Sequence, residues 1–79
     1  MKVVVLCFPP ADDRPEREVW ELPEGTTVAG LVDAIGAKLP SLAAVLPRMV
    51  ASVNRELGEK GRVLQDGDEV ALMAPLIGG

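Results

Sequence analysis

"PEGTTVAGLVDAIGAKL", residues 23–39, is where the chain changes period. Val28, Leu31, Val32, Ile35 and Leu39 recur at spacings of three and four, so one face of a helix is apolar. Thr27 stands where an N-cap hydroxyl accepts an otherwise unpaired amide hydrogen. Lys38 stands near the end, where a cation suits the helix dipole. Gly30 and Gly36 each weaken such a helix by about 1 kcal/mol against Ala, and we read them as letting it sit close on a sheet.

Outward from the helix the period is that of strands. "KVVVLCF", residues 2–8, is β-branched or apolar at nearly every position, which predicts a central strand buried on both faces. "PPADDRPER", residues 9–17, is an exposed connection. "EVWEL", residues 18–22, places Val19 and Trp20 between acids and predicts a strand near an edge. Beyond the helix, "LPSLAAVLP" predicts one short helical turn between Pro40 and Pro47. "MVASVN", residues 49–54, is a strand, "RELGEKG" a polar excursion and "RVL" a short extended piece. "QDGDEV" is a tight turn with Gly67 free to take positive φ, and "EVALM" is the last strand. One helix between two pairs of strands must lie across one face of a mixed sheet whose two long strands pair centrally. The expected class is α+β, in the β-grasp or ubiquitin-like arrangement. The sheet has four to five strands, and one main helix crosses one face.

With 79 residues the chain has room for one domain, residues 1–79, ending in a flexible tail at 75–79. Its single cysteine forms no internal disulfide, and with no His the usual ligand set for zinc is absent. Twelve acids against 8 basic residues, net −4, disfavour a nucleic-acid partner and favour a partner with a basic surface. "MKVVVLCF" is too short for a signal peptide and is cut off by Pro9-Pro10, and no run of about 18 apolar residues is present to span a bilayer. The expectation is a soluble, cytoplasmic protein.

Chemistry is scarce along the chain. There is no His and no Tyr. We read Cys7, inside "VVVLCF", as a small buried hydrophobe rather than a reactive thiol. Asp66, Asp68 and Glu69 read as a solvated turn rather than a metal or acid–base site, because no further ligand set accompanies them. The remaining feature is "MAPLIGG", residues 73–79. Pro75 cannot donate to a ladder and ends the strand. Leu76 and Ile77 suit a partner's groove, and Gly78 and Gly79, lacking a Cβ, suit a narrow channel. The carboxylate of Gly79 would then lie inside another protein's active site, open to activation as a mixed anhydride with AMP. If Val70 and Leu72 face the core, alternation puts Met73 on the opposite face beside the tail. Met73, together with Leu57 in its polar stretch, is therefore expected on a partner-binding surface.

"VNRELGEKGRVLQDGDEVALMAPLIGG", residues 53–79, resembles the C-terminal part of the MoaD/ThiS family of ubiquitin-like sulfur carriers, most of all its molybdopterin synthase small-subunit branch. "MKVVVLCF" and "LPEGTTVAGLVDAI" resemble that family's first strand and its turn and helix, while residues 9–17 and Ala74 depart from the pattern. The resemblance implies that Gly79 is adenylated by a ubiquitin-activating-type adenylyltransferase, which uses ATP and Mg²⁺; the chain itself binds no cofactor. A persulfide sulfurtransferase then makes the thiocarboxylate, and the tail enters the molybdopterin synthase large subunit to donate sulfur to a pyranopterin precursor. A carrier for thiamine or another sulfur-containing product, a protein modifier joined to lysines through Gly79, and a plain interaction domain remain open beside it.

Overall fold

The computed structural model describes residues 1–8 and 16–73. Five strands form one sheet: β1 (Lys2–Phe8), β2 (Arg17–Glu21), β3 (Val50–Val53), β4 (Glu56–Leu57) and β5 (Glu69–Met73), in the spatial order β2-β1-β5-β3-β4. β1 and β5 run parallel, and the other neighbours are antiparallel. Helix α1 (Val28–Lys38) covers one face, followed by α2 (Pro40–Ala43) and a 3-10 turn (Leu46–Arg48). This is the β-grasp arrangement expected above, with β1 and β5 as its parallel pair of long strands and β2 at an edge.

The start of α1 shows why residues 60–64 lie where they do. A helix leaves its first amide hydrogens without partners. Val28 N donates to the Arg62 carbonyl and Ala29 N to the Lys60 carbonyl, both at 3.0 Å, while Gly30 N donates to Thr27 Oγ1 at 3.1 Å. Leu31 N then donates to the Thr27 carbonyl and begins the regular ladder. The extended piece at 62–64 is fixed by these bonds and by a bridge between Thr27 and Val63. At the far end, Lys38 pairs with Glu18 and lies 4.9 Å from the centre of the Trp20 ring, tying the helix to the edge strand.

The core gathers Val3, Val5 and Cys7 of β1, Val70 and Leu72 of β5, Val53 of β3, and Val28, Leu31 and Ile35 of α1, closed by Leu22, Leu42, Leu46 and Leu64. Each of the larger side chains contributes about 1.5–3 kcal/mol through the apolar surface it removes from water. The strand β1 departs from expectation here. Lys2 and Phe8 are exposed and Val4 and Leu6 only half-buried, so the strand is buried on one face rather than two. The reason is that the fold has two layers, with its helices on one side of the sheet.

Other expectations need correction. The segment 40–48 makes two short helical pieces rather than one turn. Gly36 makes its close approach to that segment, where an added Cβ would meet Leu46 Cδ1 at 3.3 Å, and not to the sheet. The polar excursion after β3 contains β4, whose Glu56 and Leu57 pair with Val53 and Ser52. Gly67 does take positive φ, +87°, but the acidic turn around it is not simply solvated. Asp68 is 8% exposed, and its carboxylate accepts from Asn54 Nδ2 and from Gln65 N, both at 2.8 Å. Asp66 Oδ1 accepts from Lys2 N at 2.7 Å. The acids fasten the turn to the ends of β1 and β3. Asp68→Ala is expected to lose about 1–3 kcal/mol, because two donors lose a charged acceptor. Urea unfolding of the two proteins measures the difference.

Candidate functional site

The face of the sheet away from α1 carries the surplus of apolar side chains. Because Val3, Val5 and Cys7 point to the core, Val4, Leu6 and Phe8 occupy the other side of the pleat. Strand register then aligns their neighbours. Phe8 pairs with Met73, and Met73 with Val50, which makes one apolar row across β1, β5 and β3. The next row runs Leu6, Ala71, Ser52 and Leu57. Val19 of β2 lies beside Val4. Leu57 is 74% exposed, Val50 46%, and Phe8 and Met73 37% each. Single exposed apolar residues are ordinary, whereas several aligned on one sheet face make a contiguous apolar patch of the kind found at interaction surfaces. At the opposite end of these strands the same face turns polar, with Lys2 paired to Glu21 and Glu69 beside Val4.

Met73 and Leu57 therefore share this face, in adjacent rows and two strands apart. Phe8, Val50 and Val19 were not singled out from the sequence. An alternation argument applied to β1 as it was to β5 would have found Phe8, but Val50 joins the row only through a register that no local signal displays. Met73 ends β5, and the chain continues from there into Ala74. Pro75, Leu76, Ile77, Gly78 and Gly79 lie outside the described residues.

Nothing on the described part resembles a catalytic centre. Among the described residues no three His, Cys, Asp or Glu side chains come together as a metal site would require. A groove of about 380 Å³ between α1 and the β3–β4 hairpin is walled by Val32, Leu46 and Met49, with Asp33 and Lys60 as its charged groups, and it is bordered also by Val50 and Leu57, where it meets the edge of the open face. A small-molecule site normally adds convergent polar groups to such walls, and these are missing among the described residues. Cys7 is buried in the core cluster beneath the sheet. Cys7→Ala is expected to cost about 1 kcal/mol through lost packing, as read by a thermal melt.

Comparison with known proteins places the chain in a family. The model of the ThiS family matches residues 6–79. The molybdopterin synthase sulfur carrier subunit of Mycobacterium tuberculosis is 39% identical, over 100% of this chain and 99% of its own length. In fold, the chain is similar to SAMP1 from Haloferax volcanii, with a TM-score of 0.81, 23% identity and full coverage of both chains. It is also similar to a chain in the complex of subunits 1 and 2 of molybdopterin-converting factor from Helicobacter pylori, with a TM-score of 0.70, 25% identity and full coverage of both.

Proposed function

The chain belongs to the ThiS family, and from that premise we propose that it is a sulfur carrier, the small subunit of a molybdopterin synthase, with the carboxylate of Gly79 as the group that carries sulfur. The observation that carries this reading is the full-length likeness to the Mycobacterium tuberculosis sulfur carrier subunit, joined to a family match that runs through the last glycine. What supports the reading in the sheet is Met73, which ends the central strand β5 on the open apolar face, one residue before Ala74 in the sequence.

In the proposed cycle a carboxylate oxygen of Gly79 attacks the α-phosphorus of ATP on an adenylyltransferase, and pyrophosphate leaves. The outer sulfur of a sulfurtransferase persulfide attacks the acyl carbon and AMP leaves. A second thiol reduces the resulting acyl disulfide, which yields the thiocarboxylate and a disulfide on the partner. The thiocarboxylate sulfur then adds to the precursor held by the large subunit, and water releases the carrier as its carboxylate. The chain contributes a docking face, a slim tail and the acyl group, while catalytic side chains and Mg²⁺ belong to its partners. ATP-dependent loading sets this cycle in the cytoplasm; no helix among the described residues is long and apolar enough to cross a membrane.

A carrier serving thiamine or another product, or a protein modifier, would use the same tail. Likeness to SAMP1 at 23% identity speaks to fold alone and does not favour the modifier. The complex that includes subunit 2 in Helicobacter pylori is the reason for naming a large subunit as partner. The deciding experiment is gel filtration of this chain with a pterin-binding large subunit and, separately, with a thiazole-forming synthase. Co-elution with the large subunit, and dithiolene formation once the chain is thiocarboxylated, are expected. Association with the thiazole synthase alone would reassign the pathway.

A further inference from the structure

Strand β2 ends the sheet, and one side of it is bare. Its ladder to β1 is anchored beyond both of its ends: the Met1 amino group and Leu22 exchange hydrogen bonds at 2.9 Å, and Cys7 N donates to the Glu16 carbonyl at 3.0 Å. Backbone groups alternate sides along a strand, so Glu18 and Trp20 turn theirs to β1 while Arg17, Val19 and Glu21 turn theirs outward. No strand lies beyond them in the order β2-β1-β5-β3-β4, and among the described residues no backbone hydrogen bond reaches that outer side. Five residues without proline, in an unbroken register, make an edge that can template another strand.

The sequence of that edge, "REVWE", is complementary to itself. Two copies laid antiparallel about a two-fold axis at Val19 set Val19 against Val19 and Arg17 of each copy against Glu21 of the other. These facing residues are the ones whose backbone groups point outward, so each pair exchanges two hydrogen bonds. Arg17, Val19 and Glu21 share the open face, since Leu6, Val4 and Lys2 stand opposite them across β1. Their side chains therefore meet at the joint: Val19, 51% exposed in the single chain, closes on its own copy between two pairs of opposite charges. A slip of two residues breaks both charge pairs, which fixes the register. We propose that β2 is a self-association edge, through which two copies of this chain join their sheets into one. The proposal does not rest on sulfur transfer, and the joint leaves Phe8, Met73 and Val50 uncovered. Because the copies are antiparallel, their β5 strands finish at opposite ends of the joined sheet, so each copy meets a partner separately.

A joint of one short strand belongs with interfaces that bury less than about 1,200 Å², so the dimer is weak and forms as concentration rises. Sedimentation equilibrium between about 10 µM and about 1 mM reads it. Arg17→Glu and Glu21→Arg each place like charges opposite one another at both ends of the joint, and each is expected to weaken the dimer about 10-fold or more. The double variant, Arg17→Glu with Glu21→Arg, restores opposite charges and should return to within about threefold of the parent. Amide exchange in the parent reads the joint without any substitution: the Val19 amide should exchange more slowly as concentration rises. A parent that stays monomeric at about 1 mM would overturn the proposal, and so would a Val19 exchange rate independent of concentration. Dimers that survive both single substitutions but are lost in Met73→Glu would overturn it too, and would assign association to stacked open faces.

Discussion

A chain lacking Gly79 is expected to fold as the parent does and to form no thiocarboxylate at all. The buried cluster runs from Val3 to Leu72, so removing the last residue takes nothing from it, and stability should stay within about 0.5 kcal/mol. The chemistry has no such tolerance. Adenylation places one carboxylate against the α-phosphorus of ATP, and a chain shorter by one residue sets that carboxylate back by about 3.3–3.6 Å, farther than the reach of a bond-forming contact. One residue added after Gly79 should fail for the converse reason, since it moves the carboxylate past the reacting atoms and puts a side chain in a passage sized for glycine. Each protein is incubated with the adenylyltransferase, ATP and a sulfur source, then weighed intact to look for one oxygen replaced by sulfur. Equal conversion of the parent and the shortened chain would refute the carrier mechanism.

Leu72 and Met73 are neighbours in the chain and should behave as opposites. Leu72 is buried beneath the sheet, so Leu72→Ala leaves a cavity and is expected to cost about 2–5 kcal/mol. In a domain this small that is a large share of the total stability, and the melting temperature should fall by at least about 10 °C. Below its melting temperature the variant should still bind the large subunit. Met73→Glu is expected to melt within about 2 °C of the parent, because a carboxylate on the open face stays in water in the free chain. Binding is where it fails. The substitution puts an unpaired charge between Phe8 and Val50 in the middle of the apolar row, and affinity should fall by about 100-fold or more. Circular dichroism melts and calorimetric titration of the large subunit read the two effects separately. Unfolding of the Met73 variant would assign that side chain to the core.

Local chemistry was legible from residues a few positions apart. β1 at 2–8 and β5 at 69–73 have the bounds expected of them, Thr27 caps α1, and Gly67 takes the turn. Each of these depends on alternation, on a three-and-four spacing, or on a single residue's conformational freedom, all of which are contained in a short window of sequence. β4 escaped because its turn is Asn-Arg rather than Asn-Gly, and because two residues are too few to display a period. The burial of Asp68 escaped because its partner Asn54 belongs to another part of the chain.

By itself the sequence determined the order β1, β2, α1, β3 and β5, the sulfur-carrier family and a tail ending in two glycines. The full extent of the open apolar face was decided by tertiary structure. "KVVVLCF" and "EVALM" contain more apolar side chains than one layer of helix can cover, and their composition does not say which of them stay in water. That is decided when the helices take one side of the sheet and strand register brings Phe8, Met73 and Val50 into one row. These three come from distant parts of the chain, and hydrogen bonding between strands, rather than any property of the residues alone, makes them neighbours.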